Sequence, residues 1–258
     1  MGGTLLKALL GSGAFSAEDV VATVKHAAGA AELGSRLGIA TTTDNLDAVA
    51  GAEIVLLAVK PQALGAVVSE LAPVLVPGQL VVSIVASATT AFIEERLPLS
   101  LPVVRAMPNT PALIGAGMTV LCGGTHAGDD HLRRAEELFR AVGRTLVLDE
   151  KHMDAVTALS ASGPAFVYVV LESLAEGGVK VGLPRNTATE LAAQMCLGAA
   201  KMVLETGEHP ALLKDAVTTP AGCTIDGLLR LEEGGLRVTL IKAVVESTRR
   251  AGQLVAGG

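Results

Sequence analysis

Four apolar runs, Ile54 to Val59, Leu80 to Val85, Val103 to Met107 and Met118 to Leu121, constrain this chain most. None alternates apolar with polar residues, so each reads as a strand buried on both faces. Between and around them lie patterns at helical spacing: Pro61 to about Leu71, Ala91 to Leu97, and Leu132 to Val142. Upstream, a helical start (Leu5, Leu6, Leu9, Leu10) stops at Gly11 to Gly13, followed by a strand at Val20 to Val24, a helix at Ala28 to Leu37, a short strand near Ile39 and an acidic helix start at Asp44. A last strand falls at Thr145 to Leu148. Strands apolar on both faces need helices on both faces, which predicts an α/β domain with a doubly wound, mainly parallel sheet.

From Lys151 onward the strand signals stop. Asp154 to Ser160, Ala165 to Lys180, Arg185 to Glu205, Pro210 to Val217, Ile225 to Glu232 and Leu236 to Leu254 all read as helices. The pattern divides the chain into a sheet domain, residues 1–149, and an all-helical domain, residues 150–258. Neither a tandem repeat nor a low-complexity linker is visible.

Composition narrows the function classes. Half of the 258 residues are hydrophobic but only 2% are aromatic, so Ala, Val, Leu and Ile must build the core. A net charge of -6 with no Lys/Arg stripe argues against a nucleic-acid surface. Cys122, Cys196 and Cys223 form no CxxC pair, which points away from zinc or a disulfide framework and toward a reducing cytoplasm. With no signal peptide and no apolar run near the ~20 residues of a membrane span, neither secretion nor a membrane is expected. The apolar excess is then expected to be hidden partly in a subunit interface, as a homo-oligomer.

A nucleotide-binding sheet carries a glycine fingerprint between its first strand and first helix. This sequence opens with Met1, Gly2 and Gly3 and runs directly into a helix, so it offers the tail of such a fingerprint without the strand. The expectation is a sheet interrupted at a central position. Three strands end in polar or turn-forming residues, Lys60-Pro61-Gln62, Ser87 after Ala86, and Pro108-Asn109-Thr110, on the edge where dinucleotides bind in open sheets. Thr23, Lys25 and His26 follow the Val20 to Val24 strand, where an NAD site usually presents an acidic residue. Their chemistry suits a 2′-phosphate and tilts the cofactor toward NADPH, with NADH possible.

In the helical half, Lys214 to Leu228 sets Pro220 and Gly222 between two apolar patterns, with Thr224 expected as the N-cap of the next helix. Free N–H groups at such a helix start attract a small carboxylate. An ordinary capped turn accounts for the same residues.

The motifs VVRAMPNTP (Val103 to Pro111), DAVTALSASGPAFVY (Asp154 to Tyr168), GLPR (Gly182 to Arg185) and TGEHPALLKDAVTTPAGCTIDGL (Thr206 to Leu228) together resemble the pyrroline-5-carboxylate reductases. AVKPQ (Ala58 to Gln62) and LEEGGLR (Leu231 to Arg237) match as well, so the resemblance covers essentially the whole chain. It implies reduction of 1-pyrroline-5-carboxylate to L-proline by NAD(P)H; the sequence itself shows no metal-ligating constellation, so no metal is expected. It also implies a Rossmann domain followed by helices that interlock with a second subunit, in a homodimer or a higher homo-oligomer. Carried onto this sequence, Asn45, the run Ala58, Val59, Lys60, Pro61, and Ile84, Val85 and Ala86 line the cofactor cleft. Asn109 and Thr110 sit near the nicotinamide. Thr218, Thr219, Gly222, Cys223 and Thr224 clamp the substrate, with Thr224 beside the ring nitrogen as the catalytic hydroxyl.

Three features depart from the family pattern: Ala161 and Ala221 replace glycines, Cys223 replaces threonine or alanine, and the amino-terminal strand is missing. A methyl at Ala221 matters only if that residue needs positive φ or a close substrate approach. Two alternatives remain. One is a related imine or 3-hydroxyacid reductase using Lys180 or Lys201; the other is an inactive, truncated helical oligomer.

Overall fold

A computed structural model describes residues 2–97 and 100–254; Met1 and residues 255–258 of the expected domains lie outside them. Packing divides the chain into one compact unit of residues 1–162 with 247–258, and a second of residues 163–246.

The first unit opens with α1 (Gly2–Gly11), then β1 (Val21–Thr23), α2 (Ala27–Leu37), β2 (Ala40–Thr42), α3 (Asn45–Val49) and β3 (Ile54–Leu57). It continues with α4 (Pro61–Leu71), β4 (Leu80–Ser83), α5 (Thr90–Glu94), β5 (Val103–Met107), β6 (Gly117–Gly123), α6 (Asp129–Arg140) and β7 (Gly143–Val147). The strand at Ile39 begins one residue later, and the runs at Ile54 and Leu80 end as strands two residues earlier than their apolar character suggested.

Strands β3 to β7 form one sheet in chain order, while β1 and β2 pair separately. β1 and β3 share no ladder among the described residues, which is the interruption expected from the sequence. β3, β4 and β5 run parallel, but β6 is antiparallel to β5. The cause is length: residues 108–116 join β5 to β6, and a parallel return needs a crossover of about a dozen residues or more. Between β6 and β7 there is room for α6, and these two strands are parallel again.

Both faces of the sheet are covered, as the doubly apolar runs require. Leu5 and Leu9 of α1 and Phe139 of α6 bury with Leu80, Val82, Val104 and Leu121 on one face. Leu64, Val68 and Leu71 of α4 and Ile93 of α5 bury with Val55, Leu57, Val81 and Val103 on the other. Consecutive residues Val103 and Val104 thus serve opposite cores, which is why the run cannot alternate with polar residues.

The next segment, α7 (Met153–Val156) followed by a π-helical turn at Thr157–Ala161, also packs with the first unit. Met153 is fully buried against Met107, Val120 and Cys122. Glu150 ties this segment down: its carboxylate accepts from the Thr90 N–H at 2.8 Å and the Thr90 hydroxyl at 2.7 Å, and pairs with Arg105 at 3.3 Å. The packing boundary therefore falls at Ser162, later than the pattern boundary at 149/150.

The second unit comprises α8 (Gly163–Lys180), α9 (Arg185–Thr206), α10 (Pro210–Ala216), α11 (Cys223–Glu233) and the first part of α12 (Leu236–Gln253). Helix α12 ends in the first unit, where Ala251 is buried. The continuous helical path Glu150–Lys180, mean hydropathy 1.4 over its best window, is long and apolar enough by length and composition to cross a membrane. That corrects the expectation of no such run: Ser, Glu and Gly break the sequence by eye but leave the average high.

Arg105 is 2% exposed, and its Nε and Nη2 have no hydrogen-bond partner among the described residues, so Glu150 is its main compensation. Glu150→Ala is expected to lower stability by about 3 kcal/mol, as stranding a buried charge does. Urea unfolding of the variant against the parent measures this.

Candidate functional site

One candidate site is the carboxyl edge of β3, β4 and β5. In the parallel ladder Leu57 is level with Ser83, and Ser83 with Arg105, so the residues that follow them emerge at one edge. Val59 is half-buried there, with Ala58, Lys60 and Pro61 exposed; Ile84 and Val85 are buried and Ala86 half-buried. Lys60 occupies the N-cap position of α4 and Pro61 its first turn, where the missing proline N–H costs nothing.

Gly2, at the start of α1, belongs to this edge. A Cβ on Gly2 would lie 2.8 Å from the Ala58 Cβ, so only glycine lets the two backbones meet. A Cβ on Gly3 would meet nothing within 4 Å, and the first-turn N–H groups of α1, whose Gly2 lies against Ala58, have no acceptor inside the helix. That geometry fits a pyrophosphate.

Thr23, Lys25 and His26 are exposed at the end of the separate β1–β2 pair. Asn45 is half-buried, and its Nδ2 donates to the Glu70 carboxylate at 3.2–3.3 Å; Asp44 caps α3 by accepting from the Leu46 and Asp47 N–H groups. Thr110 is exposed, whereas Asn109 is buried with its carboxamide bonded on both sides.

Ser87 was legible as a strand-end residue but its backbone was not. It lies in the left-handed region, φ 64°, and its hydroxyl donates to the Ala251 carbonyl of α12 at 3.3 Å. A serine seldom adopts this conformation, and no sequence signal announced it.

Cys122, opposite Arg105 in the β5–β6 ladder, is buried. Burial first, and the Glu150 carboxylate second, push its thiol up to about 12. A thiol held protonated at neutral pH is no nucleophile.

A second candidate site lies within the helical unit. Its turn differs from the expectation in one respect: Gly222, not Thr224, is the N-cap of α11, and Thr224 sits inside the first turn. The Gly222 backbone is extended and its N–H donates to the Thr219 carbonyl at 3.0 Å, and the helix starts at Cys223, two residues earlier than an N-cap at Thr224 would give. The first-turn N–H groups of Cys223, Thr224 and Ile225 have no acceptor inside the helix. Thr224 is half-buried and Cys223 exposed. A Cβ on Gly222 would lie 2.4 Å from the Thr219 hydroxyl oxygen, so a larger residue there forces the Thr219 side chain to move. Thr218 donates its hydroxyl to the Lys214 carbonyl at 2.8 Å. Ala221 has φ 56°, the condition under which its methyl matters.

An edge of this kind, with a glycine-started helix against it and a helical unit after it, defines the class: a nicotinamide-dependent oxidoreductase with a Rossmann-type domain. Residues 1–87 match the family model described as NADP oxidoreductase, coenzyme F420-dependent, and residues 150–254 match pyrroline-5-carboxylate reductase dimerisation. The chain is 41% identical to the pyrroline-5-carboxylate reductase of Methanosarcina acetivorans, over 98% of this chain and 94% of that one. A solved structure of a pyrroline-5-carboxylate reductase from Coxiella burnetii superposes with TM-score 0.90 at 34% identity, covering 98% of this chain and 96% of that one. The NADP-bound pyrroline carboxylate reductase of Plasmodium falciparum gives TM-score 0.88 at 27% identity, covering 99% and 94%. The chain belongs to the pyrroline-5-carboxylate reductase family.

Two outcomes follow from the local geometry. Ala221→Gly removes a left-handed methyl and is expected to raise stability by about 1 kcal/mol, read as a higher denaturation midpoint. Cys122 is expected to stay unmodified by iodoacetamide at pH 8 while exposed Cys223 is alkylated, read by peptide mass spectrometry.

Proposed function

We propose that NADPH is the preferred hydride donor of this chain, and that Thr224 and the first turn of α11 hold its substrate. The family assignment makes the reaction the NAD(P)H-dependent reduction of 1-pyrroline-5-carboxylate to L-proline. The close approach of Gly2 to Ala58, which leaves the α1 helix start beside the strand edge, is the observation that carries the cofactor reading. Gly2, Asn45, Ala58 to Pro61, Ile84 to Ala86 and Thr110 would hold the dinucleotide. Thr23, Lys25 and His26, with no acidic residue among them, suit a 2′-phosphate. The NADP found on the Plasmodium relative supports the same choice.

When bound, the reduced nicotinamide supplies a hydride to the imine carbon. The chain's own contribution is placement and charge. Backbone N–H groups of Cys223, Thr224 and Ile225, at the positive end of an 11-residue helix, bind the substrate carboxylate. Thr218, Thr219 and Gly222 shape the turn that aims them. The Thr224 hydroxyl orients the ring nitrogen; as a weak acid it contributes to proton transfer only secondarily.

Assembly belongs to the same reading. Leu191, Met195, Leu197, Met202 and Leu204 of α9 and Val238, Ile241 and Val245 of α12 are each about half exposed or more. Apolar surface on this scale calls for a partner. Together with the dimerisation family match, it supports a homodimer interlocked through these helices, with a higher homo-oligomer built on it. The apolar path Glu150–Lys180 then serves protein packing, without a membrane or nucleic-acid partner. The setting is the cytoplasm.

Thr224→Ala is expected to reduce kcat roughly tenfold and leave NADPH affinity unchanged, the loss of one hydrogen bond to the reacting ring. Steady-state assays with NADPH fluorescence titration separate the two effects, and an unchanged kcat removes Thr224 from the mechanism. Lys25→Glu is expected to raise the KM for NADPH roughly tenfold while sparing NADH, as a repelled 2′-phosphate requires. Equal effects on both cofactors would remove Lys25 from 2′-phosphate recognition.

A further inference from the structure

Asn109 occupies the N-cap position of the short helical turn Thr110–Ile114, yet its side chain makes no capping bond there. An asparagine at that position ordinarily caps its own turn. Here the carboxamide is directed elsewhere and is used at both ends. Its Oδ1 accepts from the Met118 N–H at 2.9 Å, and its Nδ2 donates to the Ser160 carbonyl at 3.2 Å and the Ser160 hydroxyl at 3.4 Å. The residue is 8% exposed.

The partner segment is the π-helical turn Thr157–Ala161, closed by the Ser162 N–H donating to the Thr157 carbonyl at 2.9 Å. Its Ser160 carbonyl has a local difficulty: four residues on stands Pro164, which has no N–H to donate. Asn109 supplies a donor in its place. Three pieces of chain thereby meet on one carboxamide: the end of β5, the start of β6, and the π turn. Because β6 is antiparallel to β5, its start lies at the carboxyl edge of β5. π turns recur at functional sites because they displace a helix face by one residue.

We propose that Asn109 is a positioning residue for the reaction: it fixes Ser160 and the π turn at the carboxyl edge of the sheet, and does not itself touch the nicotinamide. This rests on the reading of that edge as the cofactor site. A side chain whose acceptor and donors already serve Met118 and Ser160 has little capacity left for a ligand. Asn109→Asp keeps the acceptor for Met118 and turns the donor into an oxygen facing the Ser160 carbonyl.

The test uses the full chain and compares the parent with Asn109→Asp and Asn109→Ala. Hydrogen exchange at residues 157–163 reads the tether without any turnover. It is expected to rise in both variants, and unchanged exchange overturns the proposal. NADPH titration is expected to give the parental Kd within about twofold; a Kd weakened tenfold or more makes Asn109 a cofactor contact and also overturns it. With 1-pyrroline-5-carboxylate, kcat per NADPH-binding site is expected to fall roughly tenfold with the KM for NADPH unchanged. Scaling to binding sites removes any loss due to unfolding, so a parental kcat leaves Asn109 a purely structural role and overturns the positioning claim. Failure of the functional reading shows separately, as a parent that binds no NADPH or does not turn over.

Discussion

The parallel ladder of β3, β4 and β5 is the constraint from which the candidate cofactor site follows. Three strands in the same direction, with Leu57, Ser83 and Arg105 level, deliver three chain exits to one edge. That arrangement holds because each strand is apolar on both faces and each face has helices over it. Of the polar residues that follow the strands, Lys60 and Thr110 are exposed at this edge, where a ligand can meet them, while Ser87 and Asn109 are buried in bonds of their own.

Polar ties then extend this order beyond the sheet. Glu150 gathers Thr90 and Arg105, and Asn109 gathers Met118 and Ser160. Both reach into residues 150–162, which a division by composition assigns to the helical half and packing assigns to the first unit. Buried polar groups of this kind fix geometry more than they add stability, since most of what they gain offsets desolvation. Their value is that the π turn and α7 have one place to sit.

Among the described residues, two non-glycine residues lie in the left-handed region, one in each candidate site. Ser87 follows β4 and Ala221 lies in the turn before α11. Each carries a local cost of about 1–2 kcal/mol that the surrounding structure must hold. At Ser87 the restraint is visible in the bond to Ala251 of α12. At Ala221 the turn is closed by the next residue, whose N–H (Gly222) donates to the Thr219 carbonyl at 3.0 Å.

Much was already determined by sequence. Doubly apolar runs specified covered strands, Asp44 marked a helix start, and the motif order along the chain identified the family. Other features depended on distances between remote residues, which periodicity does not carry. The turn of β6 against β5, the close meeting of Gly2 and Ala58, the two-residue shift of the α11 cap from Thr224 to Gly222 and the use of the Asn109 carboxamide belong to this group. Local patterns report which face of an element must be buried; which atoms then meet depends on packing, and only the tertiary structure decides that.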